Sequence, residues 1–389
     1  MINFEAIDFN EYIALSQKPS NQIIINLENL RENYLQIVRR ISRQTEIIGM
    51  VKSNAYGHGI IPISQTLSKL GISYLGVFTL EEGIYLRENG IQTPILIFGP
   101  LLRHQMKHLG SYRLTPIIGS FNELRVFLEE CPSNSILFHL KIDTGMGRIG
   151  FLPAELPTIL HHFLSSDSIK RIQGICTHYA DSSNIESDYT QWQTTTFHRS
   201  LEEIHSILPG PHVIHSSNSA AFLRSPDFHF GAIRPGLIMY GISPFPEEQE
   251  KWYPVLSLES YVSVIRILPT DSYISYNRTY KTVKETTIGI IPIGYADGIP
   301  LSLSNRGWVL YRNKKYPIVG NVCMNQFMID ISDCPDSKIG DKVVLIGQQG
   351  TLQITVNDMA QWAKTIPYEI ICNLSTAIPR YYLQSPIRN

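Results

Sequence analysis

From about Gln22 the chain alternates between short apolar runs and stretches in which apolar residues recur every three or four positions. The run IIINL is followed by LENLRENYLQIVRRI, where Leu27, Leu30, Tyr34 and Ile37 fall at helical spacing. IIGMVK reads as a buried strand and leads through a Gly-rich turn into the helical pattern PISQTLSKLG. YLGVF precedes TLEEGIYLRENG, in which Thr79 is placed to cap the start of a helix and Gly90 to end it. The runs ILIFG, LTPII, ILFHLKID, IQGICTHY, HVIHSSN and AIRPGLIMYG continue the series, with helical patterns near Arg103 to Leu109 and in FNELRVFLEE, PAELPTILHHFL and SDYTQWQTTTFHRSLEEIHSIL. About eight strand-then-helix units fill roughly 220 residues, and strands that alternate with helices build parallel sheets. This predicts an α/β fold, an N-terminal (β/α)8 TIM-type barrel with functional groups at the C-terminal strand ends. An open doubly wound sheet is the alternative that the pattern leaves standing.

After about Pro244 the texture changes. SLESYVSVIRIL, TTIGIIPIGY, GWVLYRNKKYPIVG, FMIDIS and DKVVLIG alternate or are β-branched, and Gly, Pro, Asn and Asp bound them. They predict a C-terminal, mostly β domain, with helical pattern returning only near Val356 to Lys364. The expected division is a barrel over 22–244 and a β domain over 245–389. Residues 1–21 fit neither pattern and are read as an extension that could add a strand to the β domain.

Composition narrows the function classes. Of 389 residues, 43% are hydrophobic and 17% charged, which suits a globular chain with two cores. The formal net charge of -1 gives no basic surplus for nucleic acid or an anionic membrane. The 5 cysteines are scattered and odd in number, without C-x-x-C, so reduced thiols fit better than disulfides or a zinc site; no metal is expected. The N-terminus lacks a basic region followed by an apolar run, and no apolar stretch is long enough to span a bilayer. A cytoplasmic protein is expected.

Five segments could carry chemistry. VKSNAYGHG puts Lys52 at the end of a buried strand before a polar, Gly-rich turn. Burial disfavours an ammonium and leaves a nucleophilic amine, as a Schiff-base lysine requires; taken alone, the segment more often means a lysine reaching solvent. HLKIDTGMGRIGF carries Lys141, Asp143 and Arg148, and Arg148 could present its fork to an anionic oxygen or pair with Asp143. THYADSS places His178 at a strand end, and HSSNSAA places Asn218, Ser219 and Ala220 at a strand-to-helix turn suited to a phosphate. IRPGLIMYG puts Arg234 and Gly236 after the next strand. Each has a dull reading, but the barrel rule brings all five to one rim. The second domain adds Tyr276, Tyr280, Tyr295, Met324, Asn325 and Tyr368, weak signals in a chain with 20 tyrosines.

Together and in this order, VKSNAYGHG, HLKIDTGMGRIGF and GYADG resemble the alanine racemase family, pyridoxal 5′-phosphate (PLP) enzymes of fold type III. The resemblance runs from about Ile23 to Arg380. It implies a (β/α)8 barrel, a C-terminal β domain and a head-to-tail homodimer whose sites are completed by the partner. It implies interconversion of L- and D-alanine, with D-alanine destined for bacterial peptidoglycan. Lys52 matches the PLP lysine and one of two bases; Tyr276 matches the second base, supplied across the dimer. Arg234 matches the arginine bonded to the pyridine nitrogen. Tyr56, Ser219, Gly236 and Tyr368 match cofactor contacts, mostly at the phosphate. Arg148 matches an arginine near the phenolic oxygen and the substrate carboxylate. Met324 matches a residue whose backbone N–H meets that carboxylate. Lys141 matches a lysine that is carbamylated in some members, and His178 the histidine that links the pyridine arginine to the tyrosine.

Two departures stand out. Asn325 replaces the usual Asp after the methionine, which removes a charge, and Arg278 in SYNRTY replaces a smaller residue, which bears on substrate size. A broad-specificity or serine racemase is therefore the nearest alternative. A fold-type III decarboxylase would carry Glu where Arg234 stands. A non-catalytic PLP-binding protein would lack the second domain.

Overall fold

The computed structural model describes residues 19–164, 166–210 and 212–384. The chain splits into two compact units. Among the described residues, one comprises Arg31–Ala55 and Ile60–Trp252; the other comprises 19–30, Tyr56–Gly59 and 253–384.

The first strand, β1 (Gln22–Asn26), belongs to the second of these units. The next eight close into a parallel barrel: β2 (Glu46–Met50), β3 (Tyr74–Val77), β4 (Ile95–Ile97), β5 (Leu114–Ile118), β6 (Phe138–Lys141), β7 (Ile172–Cys176), β8 (Val213–His215) and β9 (Ala232–Ile233). β2 meets β9 through Glu46 opposite Ala232 and Ile47 opposite Ile233. Strands such as β3, β4 and β6 are buried along their whole length, because helices cover one face and barrel side chains the other. That is why they read as continuous apolar runs. The helix Leu80–Glu88 opens on a capping box, with Thr79 accepting from the Glu82 N–H and Glu82 accepting from the Thr79 N–H. Asn89 caps its other end and Gly90 follows at φ +82°, a conformation glycine adopts without strain.

In the other unit, β10 (Leu256–Tyr261) pairs antiparallel with β1. There follow β11 (Val264–Leu268), β12 (Tyr273–Ile274), β13 (Tyr280–Lys281), β14 (Thr286–Ile291), β15 (Trp308–Tyr311), β16 (Lys314–Pro317), β17 (Phe327–Asp330), β18 (Lys342–Gln349), β19 (Leu352–Ile354) and β20 (Arg380–Leu383). A seven-stranded sheet runs β16-β15-β18-β10-β1-β20, with β19 on β18; β11-β14-β17 and β12-β13 form smaller sheets. The mostly β second domain is as expected.

Three expectations are corrected. β1 is not a barrel strand: alternate residues Ile23 and Ile25 are buried, the pattern of a sheet strand with unequal faces, and eight strands from β2 onward already close the barrel. The compact units change over at Leu30 and Trp252, and Tyr56–Gly59 goes with the β unit. Helix also returns a second time at Pro367–Cys372, where Pro367 sits in the first turn. The expected helix near Arg103 is two short ones, Arg103–Met106 and His108–Ser111. Of the extension 1–21, read as able to add a strand to the β domain, residues 1–18 lie outside the described residues.

Candidate active site

Lys52 lies two residues past Met50, the last residue of β2. Neighbours on both sides hold that strand end: the Met50 N–H donates to Pro235 O (3.2 Å), and the Val51 N–H donates to Gly76 O (2.9 Å). From within the barrel unit, the buried Tyr240 hydroxyl donates to Met50 O (2.8 Å). Lys52 is half-buried, its Nζ 5.8 Å from the centre of the Phe78 ring. The backbone then does something rare. Ser53, Asn54, Ala55 and Tyr56, none of them glycine, all lie at φ +52° to +54°. Left-handed backbone costs such residues on the order of 1 kcal/mol or more each. The Ser53 N–H donates to Glu82 Oε1 (2.6 Å), the Ala55 N–H to Val51 O (2.8 Å), and Asn54 Oδ1 accepts the Ile60 N–H (2.8 Å). A strained turn so well held is a common mark of a functional site.

Arg148 stands on the loop after β6. The Asp143 carboxylate folds that loop by accepting the N–H groups of Gly145, Met146, Gly147 and Arg148 at 2.8–3.1 Å. Burial alone would raise the Asp143 carboxyl, but these bonds outweigh it and bring the group below its usual value. Asp143 thus takes the Arg148 backbone, and no ion pair of the Arg148 guanidinium occurs among the described residues, which leaves its fork available. Lys141 is buried; burial, with the charges of Arg234 and Arg148, lowers its ammonium below the usual range.

The most telling group is Arg234, which is buried just past β9. Its Nη1 donates to His215 Nδ1 (2.8 Å). Its Nη2 meets Thr177 O (2.9 Å), His178 Nδ1 (3.0 Å) and Ser216 O (2.6 Å). An arginine only donates, so both histidines must accept at Nδ1 and carry their proton on Nε2. Burial first, and the Arg234 charge second, push both well below the usual histidine value and keep them neutral. His215 Nε2 lies 2.8 Å from His139 Nδ1, so the same logic passes one step further. Burial pushes His139 down to about 3. Gly174 makes room for this ring: a Cβ there would lie 2.5 Å from it.

After β8, Asn218 caps the helix Ser219–Arg224 by accepting from the N–H groups of Ala220 (3.1 Å) and Ala221 (3.0 Å). The Ser219 hydroxyl accepts from the Gly236 N–H (2.9 Å), so two residues singled out from the sequence meet.

The alanine racemase N-terminal domain family matches residues 25–244, and the alanine racemase C-terminal domain family matches 255–382. The chain is 39% identical over 363 residues to an alanine racemase of Halothermothrix orenii, covering 92% of this chain and 95% of that one. An alanine racemase of Carboxydothermus hydrogenoformans is 38% identical, with 92% and 98% covered. The chain belongs to the alanine racemase family. Among solved structures, alanine racemase from Streptomyces lavendulae superposes with a TM-score of 0.90 at 29% identity, covering 95% and 99%. The Bacillus anthracis alanine racemase, solved with bound L-Ala-P, gives 0.86 at 33%, covering 94% and 95%.

In the β unit of this alanine racemase family member, Tyr276 opens a tight turn after Ser275 (φ +67°) and is 72% exposed. Asn321 holds the turn by donating to Tyr276 O (3.1 Å) and accepting, at its backbone, from the Ser275 hydroxyl (2.6 Å). Arg278 turns back over the Tyr273 ring, 5.4 Å from its centre. Met324 and Asn325 are exposed. The GYADG segment packs on them: the Ala296 N–H donates to Met324 O (2.9 Å), and a Cβ at Gly294 would fall 2.2 Å from Cys323 O. The Tyr56 and Tyr368 rings lie 5.9 Å apart in the same unit.

The residues suit PLP. An amine is present for its aldehyde. Arg234 is a buried cation for which the described residues supply neutral acceptors and no carboxylate, so a ring nitrogen acceptor fits it. The sequence reading had not singled out Glu82, His139, His215 or Tyr240. His139 and His215 did lie inside quoted motifs, each an imidazole within an apolar strand, and that was their signal.

Proposed function

We propose that this chain is a PLP-dependent racemase that interconverts L- and D-alanine with two bases, Lys52 and the Tyr276 of a second copy. The observation that carries this is the buried Arg234 with its two neutral histidines. An arginine does not readily give up a proton, so a pyridine nitrogen facing it stays unprotonated. That weakens the ring as an electron sink and favours proton return over side reactions. A decarboxylase of this fold type would want the opposite.

When bound, PLP supplies the electron sink that makes the alanine Cα proton removable. The chain's residues do the rest. Lys52 would hold the cofactor through its Nζ, and its amine would take or return the proton on one face of Cα. Inversion needs a second group on the opposite face, and Tyr276 of the partner is that group. A free tyrosine titrates near ~10, so it needs cationic help. His178, neutral and with its proton on Nε2, would donate toward the phenolate, and Arg234 behind it supplies the charge. Arg148 takes the substrate carboxylate, together with the Met324 backbone N–H. Ser219 and Gly236, with Tyr56 and Tyr368, are assigned to the cofactor, mostly at its phosphate. Lys141, buried and with a lowered pKa, is suited to carry a carbamate, whose negative charge would hold Arg148; 13C-labelled bicarbonate should then give a carbamate NMR signal that Lys141→Ala abolishes.

The exposure of Tyr276 supports a homodimer with shared sites, since a base open to water gains no orientation until another chain covers it. A cytoplasmic location, with D-alanine supplied to bacterial peptidoglycan, fits described cysteines that are all free. No helix among the described residues is long and apolar enough to cross a membrane.

The test is direct. Purified protein with PLP is incubated with L-alanine, L-serine or L-lysine, and the products are resolved by chiral chromatography. D-alanine as the main product supports the proposal. D-serine formed faster than D-alanine would move it to the serine alternative. No D-isomer from any of the three would sink it.

A further inference from the structure

One of the groups that hold the left-handed turn behind Lys52 is the carboxylate of Glu82, on the helix after β3. Glu82 Oε1 takes the Ser53 N–H at 2.6 Å, while Oε2 takes the N–H groups of Phe78 (2.8 Å) and Thr79 (3.3 Å). One side chain therefore ties the residue after Lys52 to the end of the neighbouring strand. Phe78, fixed by the same carboxylate, is the residue whose ring lies 5.8 Å from Lys52 Nζ. A helix cap alone explains the bonds to Thr79; it does not explain the bond to Ser53.

We propose that Glu82 is a positioning residue for Lys52: its carboxylate clamps Ser53 to Phe78 and so aims the lysine amine. The proposal rests on the reading of Lys52 as the cofactor lysine. It is a role in orientation, and Glu82 itself is not asked to touch substrate or cofactor.

The two duties of Glu82 can be separated by substitution. Glu82→Asp keeps a capping box of a kind this protein already uses, where Asp358 accepts from the Thr355 N–H at 2.8 Å. It is one methylene too short to span to Ser53 as well. Thr79→Ala does the reverse: it removes the hydroxyl that caps the helix and leaves the Ser53 bond. PLP affinity is measured by titrating cofactor-depleted protein, and the visible absorbance of bound PLP is followed against pH. Thermal unfolding of the holoprotein is recorded beside them.

For Glu82→Asp, near wild-type unfolding is expected, with PLP affinity weakened on the order of tenfold and a shifted pH titration of the band, as loss of one charge-assisted bond implies. For Thr79→Ala, lower thermal stability is expected with affinity and titration near wild type. The proposal is overturned if Glu82→Asp binds PLP and titrates like wild type, or if Thr79→Ala disturbs both as much. Borohydride reduction followed by peptide mass spectrometry separates this failure from that of the parent reading. If PLP is not trapped on Lys52 in the wild-type protein, the cofactor assignment itself falls, and this proposal with it.

Discussion

Arg234→Lys keeps the charge and removes the geometry, which makes it the sharpest probe of the buried arginine. The guanidinium reaches His215 with one nitrogen and Thr177, His178 and Ser216 with another. An ammonium is a single point with three donors on a shorter reach. It cannot span His215 and His178, which sit on and after different strands. At least two of the four acceptors lose their donor while still buried. Each such loss costs about 1–3 kcal/mol, so two losses should destabilise the variant by about 2–6 kcal/mol, with no gain from removing a charge. Urea unfolding of cofactor-free protein measures this as a lower midpoint at unchanged slope. The tautomers give a second readout. In the wild type, 15N spectra should find the Nδ1 atoms of His178 and His215 unprotonated; in the variant at least one should lose that fixed state. An unchanged midpoint together with unchanged imidazole spectra would refute the reasoning, because the bonds drawn to Arg234 would then hold nothing.

Further predictions concern the same site. His139, His178 and His215 have folded values depressed below the unfolded ~6.5, His139 to about 3, so below pH ~6.5 the unfolded chain binds protons that the folded one does not. Stability should be fully present above pH ~6.5 and fall as the pH drops from 7 to 5, by about 2 kcal/mol for His139 alone; a flat urea midpoint over that range would contradict it. Gly150→Ala should disrupt the loop that carries Arg148, since Gly150 lies at φ +140° and a Cβ would sit 2.5 Å from the Asp143 N, so a rise in the KM for alanine beyond about tenfold is expected in steady-state assays. Tyr276→Phe should lose turnover by at least about 100-fold while retaining the absorbance of bound PLP, and full activity in both directions would remove Tyr276 as a base.

Much of this was legible in the sequence, for identifiable reasons. Barrel strands covered on both faces appear as unbroken apolar runs, so β2 to β9 could be read directly. The same cue misled at β1, where IIIN is just as apolar but only alternate residues are buried. The helix Pro367–Cys372 is too short to show a period. At the site, Lys52, Arg148, Arg234 and Ser219 were visible because each closes a strand or opens a turn. Thr79 was visible as a helix cap, but Glu82 was not, because its bond to Ser53 spans 29 positions and exists only once the barrel closes. The run from Arg234 through His215 to His139 is hidden for the same reason: it crosses three strands. Of the two roles the sequence leaves open for Arg148, the ion pair with Asp143 does not form, because Asp143 binds that residue's backbone instead.

The central claim is that alanine is racemised between two bases from different chains. Lys52→Ala and Tyr276→Phe chains, each expected to be inactive alone, should be co-expressed and the mixed population assayed for D-alanine from L-alanine. If each site takes Lys52 from one chain and Tyr276 from the other, about half of the dimers are mixed and one of their two sites is intact, so about a quarter of wild-type activity returns. Failure of the mixed population to form D-alanine, with both chains folded and dimeric and the wild type active, would contradict the account.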